Sequence, residues 1–400
     1  MNQTVQYLLP AELKEARCGV ALPGCRALLR FEQANDQHFT RSMLKKTIGL
    51  LFSCKRLAVL YFKPIGSKQE SPMFQNELHS KKFKSLVFLL ALGLAPFTQH
   101  TAFAGGPKPK LDQSQAGYYR LKLGNVNVIA LSDGTIALDT AKELSKPEEA
   151  ARMLAKNYVK LPPDVSVNAF LILLDKRVIL VDAGAGEILG PSLNKLTSSL
   201  KTVGIEPGQV TDILVTHIHP DHTGGLSIGG RRVFENAVVH VSEKELDFWT
   251  DKAAADKAQE PTKTFFKSVD QTIGPYLASG QVKTFQGDTR LFPGVRTVAA
   301  YGHTPGQSYY LLEDSGQKLE FWGDTVHVQE VQFDDPSVTI SFDQDQKQAG
   351  AQRLKAFSDA AKNGYLVAMP HISFPGLGRV RRDGDHFTWI PVPYVNDAQR

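Results

Sequence analysis

The sequence predicts a single layered α/β (α+β) domain over residues 105–400, on three observations. Short runs rich in β-branched and aromatic residues alternate with stretches of helical period. Four of those runs end on a histidine or an aspartate. No cysteine lies beyond Cys54, so the domain holds no disulfide and rests on a core, which roughly 300 residues are enough to build.

The residues before it read differently. Residues 1–72 show no clear periodicity and carry an apolar patch, Ile48–Phe52 and Leu57–Phe62, broken by Lys55-Arg56. Residues 81–104 run Lys-Lys-Phe-Lys, an apolar stretch Leu86–Ala95, Pro96, and Ala102-Phe103-Ala104 before Gly105-Gly106. A charged start, a short apolar middle and a small-residue exit predict a secretory signal over 73–104, with an uncleaved anchor as the alternative. The apolar stretch falls short of the roughly 20 residues that a membrane helix needs. A signal beginning near Met73 implies that translation starts there, that residues 1–72 are an over-long start, and that the product is exported, periplasmic or secreted.

Charge divides along the same line. Residues 1–104 carry 14 Lys or Arg against 6 Asp or Glu, a balance of +8; the chain totals of 46 and 41 then leave 32 against 35, or −3, for the rest. The basic isoelectric point belongs to the leader. The domain has no basic excess, so nucleic acid is excluded as an expected partner and acidic substrates gain no steering.

After a Pro/Lys/Gly-rich segment at 105–117, Tyr118–Leu123 and Val126–Leu131 read as strands about a Gly124-Asn125 turn, with Ser132-Asp133-Gly134 closing the second. Val167–Leu174 and Arg177–Val181 read as a hairpin about Asp175-Lys176. Leu193, Leu196 and Leu200 make one apolar stripe and predict a helix over Gly190–Val203. Asp212–Thr216 and Ala237–Val241 are strands, and Ser242-Glu243-Lys244-Glu245 has the spacing of a capping box. Residues 251–275 are polar and read as a cap rather than as core. Strands Val295–Ala300, Ser308–Glu313, Lys318–Trp322 and Tyr365–Met369 follow, with a helix over Gln348–Lys362. Phe387–Val395 serves either as a last strand or as a homodimer interface.

The chemistry lies at His217-Ile218-His219-Pro220-Asp221-His222-Thr223-Gly224-Gly225. Three imidazoles and a carboxylate within six positions, delivered by a buried strand, have no use in an ordinary core. In an extended segment residues two apart point the same way, so His217 and His219 approach one ion from one side. Pro220 ends the strand and sends Asp221 and His222 into a new element, which points to two ions rather than one. Imidazole and carboxylate donors without thiolate suit zinc, with manganese, iron or cobalt as substitutes.

Three later strands also end on candidate ligands: His303 after Val295–Ala300, Asp324 after Lys318–Trp322, and His371 after Tyr365–Met369. Taken singly, His303 reads equally as a turn residue, Asp324 as a helix cap and His371 as a surface histidine. Strand tips on one edge would gather them at one site. Of the remaining domain histidines, His240 reads as structural, His386 as exposed, and His327, three residues past Asp324, as a pocket residue.

The order His217-x-His219-x-Asp221-His222, His303, Gly323-Asp324 and His371, preceded by Val181-Asp182-Ala183-Gly184, resembles the metallo-β-lactamase superfamily across residues 117–395. The resemblance implies an αββα sandwich with two zinc ions. It implies His217, His219 and His303 on the first, Asp221, His222 and His371 on the second, Asp324 bridging, and Asp182 bracing the site. The absence of a cysteine ligand and the presence of Asp324 set the chain apart from the commonest zinc β-lactamases. Gly190-Pro191, Asp247-Phe248-Trp249, Phe265-Phe266-Lys267, Val331–Val338 and Ser373-Phe374-Pro375-Gly376 are similar to the exported methyl parathion hydrolase group, whose members include organophosphate triesterases and lactone or aryl-ester hydrolases. His327, Ile340, Phe342, Glu143 and a shorter loop before Phe265 depart from the triesterase pattern.

The expected function is therefore a dinuclear zinc hydrolase of lactones or aryl esters such as dihydrocoumarin, acting through a metal-bridging hydroxide, with Asp324 or Asp221 passing a proton to the leaving group. A small apolar ester or lactone is the expected partner. Trp249, Phe265, His327, Ile340 and Phe342 are the expected pocket, with Leu189 at its mouth and Phe266 in the core. The alternatives are an organophosphate triesterase, an acyl-homoserine lactonase and a non-catalytic metal-binding protein.

Overall fold

The computed structural model describes residues 115–396 together with two short strands, Tyr7–Pro10 and Phe31–Ala34, which pair in parallel. The chain divides into two units, Met1–Thr101 and Ala102–Arg400. The expected signal over 73–104 lies outside the described residues, as does the rest of the leader apart from those two strands. Among the described residues no helix is long and apolar enough to cross a membrane.

The second unit is built on two seven-stranded sheets. The first runs, in spatial order, Val282–Phe285, Val238–Ser242, Asp212–Leu214, Arg177–Val181, Asp164–Leu174, Val126–Ala137 and Tyr118–Leu123. The second runs Arg290–Phe292, Val295–Ala299, Ser308–Asp314, Gln317–Phe321, Leu366–Ala368, Leu377–Asp383 and His386–Pro391. Period-two alternation divides each strand between two cores. Along Asp164–Leu174, Phe170 and Ile172 face the other sheet and meet Tyr310, Leu312, Leu319 and Phe321, whereas Ala169 and Leu171 face outward.

Helices cover both outer faces. Leu196–Thr202, Glu243–Thr250, Thr262–Thr272 and Gly274–Ala278 pack on the first sheet, and Gln346–Asn363 packs Ala356, Phe357 and Ala360 against Trp322 and Val367 of the second. That last helix begins at Asp345, whose carboxylate accepts from Gln348 N, and ends at Gly364 in the left-handed region. The result is the expected αββα sandwich.

Several local expectations change. Val126–Ala137 does not stop at Ser132-Asp133-Gly134 but passes through a bulge there, because buried Asp133 turns inward to accept from Ala185 N, Lys195 N and Leu196 N. Those bonds start the next helix at Leu196 rather than Gly190, so Leu193 is buried from a turn. Ser242 makes no side-chain cap, and the return bond of a capping box is absent because the Glu245 carboxylate is committed elsewhere. Residues 251–275 are not only a cap: Phe266, Val269 and Ile273 belong to the core. Of the two readings of Phe387–Val395, the last strand is found over His386–Pro391, at the end of the second sheet. Val282–Phe285, Arg290–Phe292 and Leu377–Asp383, too polar or too short to announce themselves, complete the sheets.

Candidate metal centre

Each candidate ligand follows a strand. His217 and His219 come after Asp212–Leu214, His303 after Val295–Ala299, Asp324 after Gln317–Phe321 and His371 after Leu366–Ala368, all at one edge of the sandwich. Gln317–Phe321 and Leu366–Ala368 run parallel, so Asp324 and His371 emerge at the same end. Asp221 and His222 lie on the one-turn helix Pro220–Thr223. That helix closes onto the Asp182 loop only because Gly224 and Gly225 lack side chains: a Cβ at either would lie 2.0 Å from the carbonyl oxygen of Ala185 or Ala183.

Two groups result, His217, His219, His303 with Asp324, and Asp221, His222, His371 with Asp324. Asp324 divides its oxygens between them. Its Oδ2 lies 3.6 Å from His217 Nε2 and 3.3 Å from His303 Nε2. Its Oδ1 lies 3.0 Å from His222 Nε2 and 3.1 Å from His371 Nε2. Asp221 Oδ2 stands 3.5 Å from His222 Nε2 and 3.2 Å from His371 Nε2. His219 Nδ1 and His303 Nε2 face each other at 3.1 Å.

Outer bonds set which nitrogen points inward. Asp182 accepts from Thr216 N, from the Thr216 hydroxyl and from His222 Nδ1, each at 2.8 Å. The Thr216 hydroxyl, its proton spent on Asp182, accepts in turn from His217 Nδ1 at 3.1 Å. His303 Nδ1 donates to Asp343 Oδ1 at 2.7 Å, and His371 Nδ1 donates to the Ser166 carbonyl at 2.9 Å. Four Nε2 lone pairs are thereby left for the centre.

Those atoms satisfy cations rather than one another. His217 Nε2, His222 Nε2 and Asp324 Oδ1 are buried without a hydrogen-bond partner, although Oδ1 has two imidazole nitrogens near 3 Å, because the lone pairs converge on shared points. A buried polar atom left so costs about 1–3 kcal/mol, which a bound ion removes. Charge agrees. With the imidazoles neutral, as ligands are, Asp182, Asp221, Asp324, Asp343 and Glu245 against the buried guanidinium of Arg353 leave four negative charges, which two divalent cations would neutralise. The residues fit a dinuclear metal site.

Proton affinities follow the same layout. Burial opposes charge at every group, yet His222 and His371 hold the Asp324 carboxyl well below the usual range, and His222 and His371 do so for Asp221. Against burial, Asp324 and Asp221 push His371 up to about 10, and Asp324 with Asp343 pushes His303 up to about 9. Burial and neighbouring imidazoles hold His217 and His219 well below the ordinary value.

The other expected residues divide. His327 is at the centre: Nε2 lies 3.0 Å from Asp324 Oδ2, and its ring stacks on His371 at 5.2 Å. Phe265 lies 4.7 Å from His219 and 5.9 Å from Phe342, both phenylalanines half-buried, so these two rings form a wall beside the first group. Trp249 does not line a pocket; it is 2% exposed, packs edge-on behind His219 and donates to Glu245. Ile340 is likewise core, fully buried and bridged to Leu144, because the loop turns its neighbour Phe342 outward instead. Leu189 packs half-buried beside Val167, Ala185 and Leu193, and Phe266 is core. Glu143 accepts from the Ser341 hydroxyl on the same loop. His240 is structural, bonded to Asp212 Oδ1 at 2.9 Å, and His386 is exposed.

Sequence reasoning missed Glu245, Asp343 and the Ser166 carbonyl as braces. Glu245 carried a signal, an acid one turn before Trp249 on a buried helix face, but its spacing from Ser242 read as a cap. Asp343, in Ser341-Phe342-Asp343-Gln344-Asp345, looks like any polar loop.

The metallo-beta-lactamase superfamily profile matches residues 162–389. A solved structure described as hydrolase AbOPH in the beta lactamase superfamily shares 37% identity and a TM-score of 0.68, covering 71% of this chain and all of its own. AidC, a dizinc quorum-quenching lactonase solved with a product, shares 26% identity and a TM-score of 0.64 over 70% of this chain and 99% of its own. An N-acyl homoserine lactonase of a Bacillus species is 30% identical over 169 residues, 38% of this chain and 59% of the relative, so the chain spans less than two thirds of that lactonase. With its site geometry and these matches, the chain belongs, as a metal-dependent hydrolase, to the metallo-β-lactamase superfamily.

Proposed function

We propose that the protein is an exported dizinc hydrolase that opens lactones and cleaves aryl esters, with flat aryl-fused lactones such as dihydrocoumarin as preferred substrates. One observation carries the reading: two ligand groups share Asp324 beside the aromatic wall of Phe265 and Phe342. His217, His219 and His303 would hold one ion, Asp221, His222 and His371 the other, with Asp324 on both. When bound, such ions polarise a carbonyl and supply hydroxide at neutral pH.

The chain's own groups favour a particular leaving group. Asp324 and Asp221 are the carboxylates in reach of a departing alkoxide, and neighbouring imidazoles hold both carboxyls well below the usual range. Neither holds a proton at neutral pH, so they can only pass one on from water, which favours a phenolate or enolate that leaves without full protonation. Asp221, with 19% of its side chain exposed against 3% for Asp324, is the better placed to exchange its proton with water. Phe265 and Phe342 orient a flat ring, and His327 borders the same space.

The second reading, acyl-homoserine lactone hydrolysis, is favoured by the likeness to two lactonases. Export is supported by the pattern of residues 81–104; cell fractionation with intact mass tests it, and a chain that stays in the cytoplasm with residues 73–104 attached sinks it. Protein from Gly105 onward, loaded with zinc, is assayed on dihydrocoumarin, an acyl-homoserine lactone, a nitrophenyl ester and a paraoxon-type triester. Highest kcat/KM on dihydrocoumarin supports the proposal. A higher value on the acyl-homoserine lactone or the triester replaces it, and activity surviving complete metal removal overturns the mechanism.

A further inference from the structure

We infer that Glu245 is a positioning residue for the first ligand group: its buried carboxylate clamps the loop carrying His217 and His219 to the loop carrying His303. Oε1 accepts from Ile218 N at 2.8 Å and from Trp249 Nε1 at 2.7 Å. Oε2 accepts from the Thr304 hydroxyl at 2.7 Å and from Gly306 N at 2.9 Å. Ile218 lies between two ligands and Thr304 directly follows the third, so one side chain joins both segments of the three-histidine group. Trp249, held by the same oxygen, packs against His219 from behind.

A structural role alone accounts poorly for this arrangement. Glu245 is fully buried, and none of its four donors carries a charge. A carboxylate kept from water by neutral donors is an expensive way to tie two loops. Beside a dication its charge is useful, since it adds a negative charge behind a group whose ligands are neutral imidazoles and one shared carboxylate. The fold is shaped for the contact: a Cβ at Gly306 would lie 2.2 Å from Glu245 N. The second group is held by other braces, Asp182 on His222 and the Ser166 carbonyl on His371. Loss of Glu245 therefore weakens one ion and spares the other.

The inference rests on the two-metal reading, and the test separates the two. Metal-stripped wild type, Glu245→Gln and Thr304→Val are titrated with zinc in competition with a chromophoric chelator, and with cobalt to follow the visible absorption of the nitrogen-rich site. Leu312→Ala, in the core between the sheets, serves as a destabilised control. Glu245→Gln is expected to bind one of two equivalents about 10–100-fold more weakly, with the cobalt spectrum of that equivalent altered. Thr304→Val, which removes a single donor and covers the case in which Glu245→Gln does not fold, shows a smaller loss at the same equivalent. Two equivalents at wild-type affinity in a folded Glu245→Gln, or in Thr304→Val where that variant alone folds, overturn the inference while leaving the two-metal reading intact. The same selective loss in Leu312→Ala reduces Glu245 to general stability and overturns it too. Fewer than two equivalents in wild type sink the two-metal reading and the inference together.

Discussion

Replacing Asp182 by Asn separates the brace on the second ligand group from the backbone that carries it. Asp182 stands at a φ of 57°, a conformation that Asn adopts readily and Ala does not. Its Oδ1 accepts from Thr216 N and its Oδ2 from His222 Nδ1 and the Thr216 hydroxyl. An asparagine amide has one acceptor oxygen. Placed with nitrogen at the Oδ1 position, it opposes the Thr216 N–H; placed the other way, it opposes His222 Nδ1 and drives that proton to Nε2, the nitrogen facing Asp324. Either orientation forfeits a charge-assisted hydrogen bond of about 1.5–3 kcal/mol. The expected outcome is about 2–4 kcal/mol lower stability and roughly 10–100-fold weaker binding of one zinc. Asp182→Ala adds about 1–2 kcal/mol of left-handed backbone strain and also loses the acceptor that Asn keeps, so it should be the less stable of the two variants. Denaturant unfolding and chelator competition measure the two effects. An Asn variant that takes up two zinc ions at wild-type affinity refutes the bracing role.

Zinc uptake by the stripped protein at pH 7 should release protons, because His303 and His371 are pushed up to about 9 and about 10 and are charged there. Their raised values stabilise the stripped protein fully below pH ~6.5, and that stability is lost as pH rises through 9–10, so its melting temperature should fall over that window. A weakly buffered titration that finds no proton release contradicts this assignment. Phe342→Ala should leave two zinc ions in place and lower kcat/KM on dihydrocoumarin by the two- to tenfold that about 0.5–1.5 kcal/mol of aromatic contact supplies; an equal loss on an acyclic alkyl ester counts against the aromatic wall. Gly225→Ala should unfold at a lower temperature, by an overpacking cost of about 1–3 kcal/mol or more, since its Cβ meets the Ala183 carbonyl at 2.0 Å. A melting temperature equal to wild type would show that the Asp182 loop yields without cost.

Short strands bounded by a turn signal were legible, because β-branched and apolar runs and the turn between them are local features. Tyr118–Leu123 and Arg177–Val181 have the expected bounds. Where a polar side chain left its own element to serve another, local reading failed. Asp133 looked like a turn and is a hub for the 185–196 loop; Glu245 looked like a cap and joins two ligand loops. Trp249 and Ile340 looked like pocket residues because residue type says nothing of depth.

The seven ligand candidates and their division into an early cluster and three later strand tips came from the sequence alone, because donor chemistry and strand-end position are local properties. Which oxygen of Asp324 faces which group, which nitrogen each imidazole turns inward, and which carboxylates stand behind them were decided by tertiary structure. Apart from the Thr216 bond that turns its neighbour His217, those choices depend on hydrogen bonds between residues 34–205 positions apart, and no local pattern encodes a partner at that separation.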